Sequence, residues 1–563
     1  MGKGMSWDEA VAALTGPGSR FELVDAQVED RRTRVFAAAP PSLRALFDGV
    51  RARGEQEQLV YEEERWTCAQ LMGRAGEIGA ALVEQHGVAR GDRVAIAMRN
   101  YPEWIAAFAA VTSLGAIAVC LNAWWTSEEM IYGLEDSGAR VLIADLERAQ
   151  RAGPVLDAGR LRALVVRSGD APLPGGAERL ADVLTPGAAM PRVAIDPDAD
   201  ATILYTSGTT GHPKGAVSTH RAMLNALLAF GCRAAVNQAM RPPAEPHPFP
   251  PCFILVVPLF HVTGLVPVML SCMLGGFKLV MMYRWNPERA LELIERERVT
   301  NFVGVPTMSY DLLESPDFAR RDTSSLTNVG GGGAPAPPEL VSRIDRSFRR
   351  GSPGIGYGMT ETNAYGPQNS GEDLLTRPRS SGRAVPILEI KVVAEDGHEL
   401  PRGEVGEICF RGATLIRGYW GKPEATAATL VDGWLHSGDL GRVDDEGFVY
   451  VEDRLKDMVL RGGENVYCAE VEAAIYGHPS VHEAAVFGVP HPRLGEEVAA
   501  VVMTRRGASL AAEELDAYLR QHIATFKVPT QVEITDAQLP RNASGKILKR
   551  ELRDRIAARL GRS

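Results

Sequence analysis

Two hydrophobic patterns divide the chain. Between about residues 90 and 170, short apolar runs alternate with stretches of helical spacing; the runs are 94–97 (Val-Ala-Ile-Ala), 141–144 (Val-Leu-Ile-Ala) and 164–166 (Leu-Val-Val). Unbroken runs of this length predict buried strands, and their alternation with helices predicts βαβ units around a largely parallel sheet. After a Pro/Gly-rich loop at 171–192 and an apolar run at 201–204, a second series predicts a helix near 219–230, a strand at 253–257, a helix at 287–298, a strand at 302–305 and a helix at 338–349. Beyond about 380 the pattern turns to short strands with turn signals, such as Val392-Val393-Ala394-Glu395-Asp396-Gly397. Composition shifts again at Asp453-Arg454-Leu455-Lys456. A compact block follows, with helices at 469–476 and 511–523 and strands at 484–488, 498–503 and 531–534. The expected fold is α/β: a large N-terminal domain of parallel-type βαβ sheets with a small β-rich subdomain, plus a small α+β C-terminal domain. Residues 1–60, with amphipathic patches such as Ser42-Leu43-Arg44-Ala45-Leu46-Phe47, read as an N-terminal extension.

Composition narrows the choices. A chain of 563 residues exceeds one ordinary core, and 45% hydrophobic with 23% charged residues describes globular domains. A net charge of −10 argues against nucleic acid as the main partner. Seven cysteines without close pairs suggest reduced thiols in a cytoplasmic setting, with Cys68, Cys120 and Cys409 as core residues. No signal peptide is visible, and Met1-Gly2-Lys3-Gly4-Met5-Ser6 reads as a chance match to a lipidation pattern. The apolar stretch 252–282 is long enough to span a membrane, but Pro258, His261, Pro267, Lys278 and three glycines interrupt it. A strand, a loop and a core helix account for it better. The proline-rich stretch 241–251 reads as a surface connector.

Residues 205–215, Tyr-Thr-Ser-Gly-Thr-Thr-Gly-His-Pro-Lys-Gly, carry the chemistry. Glycines let backbone N–H groups approach an oxyanion, hydroxyls donate further hydrogen bonds and Lys214 adds a charge. The loop is not a Walker motif, since Pro213 precedes the lysine and Gly215 follows it. With Gly332-Gly333-Ala334-Pro335, Tyr357-Gly358-Met359-Thr360-Glu361, Ser437-Gly438-Asp439, Asp453-Arg454-Leu455-Lys456-Asp457 and Pro540-Arg541-Asn542-Ala543-Ser544-Gly545-Lys546, in that order, the chain resembles the adenylate-forming superfamily, in its acyl-CoA synthetase branch. The resemblance covers about residue 60 to the end. It implies an adenylation domain over 61–453, a hinge at 454–457 and a mobile C-terminal domain over 458–563.

The implied reaction joins a carboxylate to the α-phosphorus of ATP, releasing pyrophosphate, and then passes the acyl group to coenzyme A. The resemblance assigns Thr206, Ser207, Gly208, Thr209, Thr210 and Lys214 to the departing pyrophosphate, Thr360 to the α-phosphate and Glu361 to Mg²⁺. It gives Gly332, Gly333, Ala334, Gly356 and Tyr357 to adenine, Asp439 to the ribose hydroxyls with Arg454 assisting, and Lys546 to a bridge between carboxylate and α-phosphate oxygens. His261 falls at the mouth of the acid site, where a structural histidine is the competing reading. Lys456 fits the hinge, Gly462 and Gly463 the pantetheine path, and Arg284 a phosphate of coenzyme A. Taken singly, Glu361 reads as a surface acid, Asp439 as a turn residue and Lys546 as one solvated lysine of a basic tail.

Phe260, Val303, Val305, Met308 and Tyr310 suggest an apolar acid, and four glycines at 330–333 leave one wall without bulk. A medium- or long-chain fatty acid is expected first, an aromatic or alicyclic acid second. An acyl-AMP ligase loading a separate carrier protein is the alternative acceptor, and a non-catalytic acyl or nucleotide sensor the alternative from another class. The latter predicts an eroded catalytic set, whereas Lys214, Thr360, Glu361, Asp439, Arg454 and Lys546 are all present. No transmembrane segment is expected; peripheral membrane contact and a homodimer stay open.

Overall fold

A computed structural model describes residues 4–28, 31–206, 212–243, 245–334, 336–462, 464–542 and 545–561. Two eight-stranded sheets form the large domain. In the first, Arg93–Ala97, Ile117–Cys120, Val141–Asp145 and Arg162–Val166 run parallel, and Asp200–Thr206 joins beside Ile117–Cys120. The second has a parallel centre of Cys252–Leu255, Lys278–Met281, Asn301–Gly304, Asn328–Gly332 and Ser352–Gly356. Helices Cys68–Glu84, Pro102–Ser113 and His220–Met240 contribute to one continuous core with both sheets. Pro102–Ser113 is apolar all round and buries every residue except Glu103, as expected of a helix surrounded by protein.

Two smaller sheets follow. Leu388–Val393, Gly406–Gly412, Trp434–Val443 and Val449–Arg454 make an antiparallel β-subdomain. The C-terminal domain has a sheet of Val459–Arg461, Glu464–Val466, Val481–His491, Gly495–Thr504 and Gln531–Thr535. Cys468–Tyr476 and Ala512–Leu519 contribute to one of its two cores, and Lys549–Arg559 to the other.

The predicted strands and helices of both domains are present, most with ends shifted by a few residues; the helix expected near 219–230 runs on to Met240. Three features differ. Residues 43–60 do not stand outside the large domain: Leu43–Arg51 buries Leu43, Leu46, Phe47 and Val50 in the main core. Glu57–Tyr61 is a strand paired parallel with Lys278–Met281, so the expected boundary at 60 falls within it. Secondly, the glycine-rich loop is followed by a strand that the sequence pattern does not predict before the helix near 219. The loop joins Asp200–Thr206 to the antiparallel strand Lys214–Thr219, and the helix His220–Met240 comes only after that strand. Thirdly, the 252–282 stretch contains a π-helix, Gly264–Leu270, with Pro267 inside it. Proline offers no backbone N–H, so the local hydrogen-bond ladder cannot run through it in α register. No helix among the described residues is long and apolar enough to cross a membrane.

Candidate active site

The carboxyl ends of the parallel strands, where ligands of open α/β sheets bind, carry the predicted adenine-side glycines. Gly332 ends one strand and Gly333 follows it, and Gly356 pairs with Gly332 on the next. Ala334 follows directly and is half-buried. Gly356 leads into a tight loop between Tyr357 and Gly366. A Cβ at Gly358 would lie 2.3 Å from the Ala364 carbonyl oxygen, and one at Gly366 would lie 2.1 Å from that of Tyr357. Asn363 and Ala364 both adopt left-handed backbone (φ 53° and 64°), a conformation that costs non-glycine residues free energy. Asn363 Nδ2 donates to the Thr414 carbonyl at 2.9 Å, and the Val385 N–H donates to the Tyr365 hydroxyl at 3.0 Å. The loop so held presents Thr360 and Glu361 in a single 3₁₀ turn.

Glu361 Oε1 accepts a hydrogen bond from the Tyr419 hydroxyl at 2.8 Å. The Lys214 ammonium lies 4.6 Å above the same tyrosine ring, a cation–π contact. Tyr419 thus joins the base of the glycine-rich loop to the acidic turn, a link not foreseen from sequence. It occupies a two-residue strand, Gly418–Tyr419, paired with Ala216 and Val217. Thr206 ends the strand before the loop. Ser207, Gly208, Thr209 and Thr210 lie outside the described residues. Among the described residues Oε2 of Glu361 has no partner. One carboxylate oxygen, with phosphate oxygens supplying the rest, is the donor set Mg²⁺ takes, so Glu361 fits the ion.

Asp439 faces Arg454 across the strand pair, with its Oδ1 3.4 Å from the arginine Nε. Its Oδ2 accepts from the Tyr357 hydroxyl at 2.6 Å. Burial raises the Asp439 pKa, and the charge of Arg454 opposes that rise. Burial and the nearby carboxylate push the Tyr357 hydroxyl well above its ordinary range, so it stays a donor.

Lys546 comes from the C-terminal domain into this cluster. A Cβ at Gly333 would lie 3.5 Å from its Cε, and the lysine shares a cavity of about 10 Å³ with Val257, His261, Thr263, Gly304, Val305, Gly332 and Gly333. Burial, helped by the charge of Arg454, lowers its pKa to about 8, while Asp439 and Glu361 pull the other way. No carboxylate among the described residues lies within ion-pair distance of it. His261 Nδ1 accepts from the Thr263 N–H at 3.3 Å, which leaves the ring proton on Nε2. Burial and the Lys546 charge drop the His261 pKa to about 4, so the ring is neutral at physiological pH.

Other expectations meet different surroundings. Tyr310 is not at the acid cavity; it lies 6.3 Å from the His482 ring at the seam between the domains. The glycines at 330–333 are required as much by strand crowding as by a ligand: a Cβ at Gly331 would lie 2.9 Å from the Gly304 carbonyl, and one at Gly332 3.0 Å from that of Gly356. Lys456 is exposed in the turn after Arg454. Just before it, Asp453 accepts from the N–H groups of Arg454, at 2.8 Å, and of Cys468, at the start of the next domain's first helix. Gly462 sits in a left-handed turn (φ 62°) and donates to the Leu494 carbonyl at 2.8 Å. Neither it nor the exposed Arg284 borders the cavity, and Gly463 lies outside the described residues. All seven cysteines are buried and free.

Such a fold, with a smaller second domain delivering a lysine to the glycine-lined ends of the parallel strands, is that of the acyl-adenylating ligases. The chain belongs to the AMP-binding enzyme family, matching its main domain over residues 46–420 and its C-terminal domain over 470–546. It is an AMP-forming acid–thiol ligase of the acyl-CoA synthetase group. A feruloyl-CoA synthase of Amycolatopsis is 38% identical, covering 87% of this chain and 94% of that protein. The long-chain-fatty-acid–CoA ligase FadD13 of Mycobacterium tuberculosis is 36% identical, covering 88% and 94%. The structure of the o-succinylbenzoate CoA synthetase of Bacillus subtilis in complex with its acyl-adenylate superimposes with a TM-score of 0.77 at 30% identity, covering 90% and 98%.

Proposed function

We propose that the chain activates an apolar carboxylic acid as its acyl-adenylate and then transfers the acyl group to coenzyme A. The observation that carries the site assignment is Lys546: a half-buried lysine, without an ion pair among the described residues, set against the glycine wall within reach of the charges of Asp439 and Glu361. An uncompensated, partly buried cation is unfavourable unless anions join it, and the carboxylate and α-phosphate oxygens of the first half-reaction are such anions.

The obstacle is charge, since two anions meet and more negative charge develops on the phosphoryl oxygens. Lys546 bridges carboxylate and α-phosphate, with the Thr360 hydroxyl donating to the same phosphate. Lys214, with the 206–210 loop, holds the departing pyrophosphate. Glu361 holds Mg²⁺, which when bound neutralises phosphate charge. Tyr357 and the backbone of residues 332–334 and 356 line the adenine slot, while Asp439, oriented by Arg454 and Tyr357, accepts from the ribose hydroxyls. Neutral His261 offers its Nε2–H to the incoming carboxylate. A cavity of about 10 Å³ holds no more than one water, so the acid enters while the C-terminal domain is swung away and Lys546 closes behind it. In the second half-reaction that domain turns about Lys456, bringing Gly462 and Gly463 to the thiol path, and Arg284 pairs with a coenzyme A phosphate.

The relatives' names span an aromatic acid and long-chain fatty acids, which supports an apolar acid and leaves its class to assay. The buried free thiols favour a reducing, cytoplasmic setting. The experiment is pyrophosphate release over a panel of carboxylic acids, with and without coenzyme A, while AMP and acyl-CoA are quantified. Acyl-CoA formation with one favoured acid supports the reading. Accumulating acyl-AMP without acyl-CoA moves the acceptor to a carrier protein.

A further inference from the structure

Two side chains one turn apart on the helix Ser127–Ser137, Tyr132 and Asp136, touch both ends of the glycine-rich loop. At the entry, Asp136 Oδ2 accepts from the Tyr205 hydroxyl at 2.8 Å. At the exit, the Tyr132 hydroxyl lies 3.3 Å from the Pro213 carbonyl oxygen and 3.2 Å from Asp136 Oδ1. The Tyr132 ring also stacks on that of His212, with centroids 4.3 Å apart and planes 16° from parallel. Pro213 stands directly before Lys214. Across the strand pair Tyr205 faces Gly215 and Thr206 faces Lys214, so entry and exit are held side by side.

A third tie reaches Asp136 from far along the chain. Lys422 Nζ donates to its Oδ1 at 3.0 Å, and the Lys422 N–H donates to the Tyr419 carbonyl at 3.2 Å. Tyr419 is the ring beneath the Lys214 ammonium and the donor to Glu361. One carboxylate, its side chain 14% exposed, thus gathers the segment bearing Lys214 and the turn bearing the tyrosine under it. Charge-assisted bonds of this kind fix geometry as well as adding energy. None of Tyr132, Asp136, Tyr205 and Lys422 lines the cavity beside Lys546, where the acid reacts.

We infer that Asp136 is a positioning residue for pyrophosphate binding, acting through Tyr205, Tyr132 and Lys422 to hold Lys214 against the phosphates. The inference rests on the ligase reading and deepens it. The glycine-rich loop serves only the half-reaction in which ATP is cleaved or remade. Loss of Asp136 therefore weakens ATP and pyrophosphate binding and spares acyl transfer to coenzyme A. A residue that merely stabilised the fold would affect both half-reactions alike.

The test uses the full chain and the acid favoured in the carboxylate panel, with magnesium pyrophosphate as the probe in pyrophosphate–ATP exchange. Asp136→Ala should raise the KM values for pyrophosphate and ATP about tenfold, while the KM for the acid and thioester formation from supplied acyl-AMP stay within about twofold of wild type. Asp136→Asn keeps an oxygen for Lys422 and Tyr132 and should recover most of that loss. Tyr132→Phe keeps the ring stack and removes only the hydroxyl. Its expected rise in pyrophosphate KM, about threefold to fivefold, decides the matter if the alanine variant fails to fold. Equal loss of both half-reactions, or pyrophosphate KM values at the wild-type level in the variants, overturns the inference. Absence of exchange by the wild type with every acid of the panel overturns the ligase reading instead.

Discussion

At the scale of single residues, Lys546 has the sharpest consequence. Lys546→Ala should lower acyl-AMP formation by about 10²–10³, the usual loss for a preorganised charge, and leave thioester formation from supplied acyl-AMP comparatively intact. Equal loss of both half-reactions would remove its assigned role. Its depressed pKa adds a pH signature. The ammonium is the working form and is present below about 8, so adenylation kcat/KM should fall as pH rises through that value, by about tenfold per unit. His261, neutral down to about 4, should give no limb near the ordinary histidine pKa. Lys546 was legible because a seven-residue motif names it. Tyr419 was not, because a tyrosine in Gly418-Tyr419-Trp420 carries no sign of the glutamate it meets 58 residues away. Tyr419→Phe removes a hydrogen bond to a carboxylate, and should raise the magnesium concentration for half-maximal pyrophosphate release by about tenfold.

At the scale of elements, the loop from Tyr357 to Gly366 decides where Thr360 and Glu361 point. Gly366 stands against the Tyr357 carbonyl with no room for a methyl group (2.1 Å), and backbone cannot yield there as a flexible side chain could. Gly366→Ala should therefore cut adenylation sharply while lowering the thermal midpoint by only a few degrees, as expected of about 1–3 kcal/mol of local strain in a chain of this size. A variant that keeps full adenylation would show that the loop does not set the catalytic turn. The strands on either side were legible, since four-residue apolar runs such as 94–97 admit few other readings. What the loop joins was less so. The strand following the glycine-rich loop, Lys214–Thr219, is mostly small and polar at its ends and carries no apolar run to announce it. Likewise Glu57–Tyr61 looked like the end of an extension, because its parallel partner, Lys278–Met281, lies more than two hundred residues away.

At the scale of the whole molecule, Lys546 reaches the cleft from a C-terminal domain that makes ion pairs with the helices Pro306–Glu314 and Pro338–Ser347. Glu314 accepts from Arg505 at 2.8 Å and lies 3.3 Å from the His482 Nδ1, while Arg505 also approaches Glu339 at 3.6 Å. Arg343 pairs with Glu314 from its own domain, and Asp311 and Glu483 add negative charge around the histidine. No local pattern reveals this contact, since the partners across the seam are separated by at least 166 residues. The bond to Glu314 raises the His482 pKa, and the same bond lowers that of Glu314. For the raised histidine, the attraction is fully present below its ordinary value and is lost as pH rises through the raised one. For the lowered glutamate, it is present above the ordinary carboxylate value and lost as pH falls through the lowered one. The seat is therefore firmest between those two limits and loosens on the alkaline side. The charges are partly exposed, so screening limits each pair to about 1 kcal/mol or less. Glu314→Gln should lower adenylation about threefold to fivefold at neutral pH while leaving thioester formation from supplied acyl-AMP unchanged or faster, because it biases the domain away from the adenylating pose. His482→Gln should remove the pH dependence that belongs to the seat. Subtracting its adenylation profile from wild type cancels the Lys546 titration common to both and leaves a loss that grows as pH falls toward the ordinary histidine range. A flat difference would mean that the domain is held by its apolar and backbone contacts, with the charged pairs at the seam contributing nothing to the choice of pose.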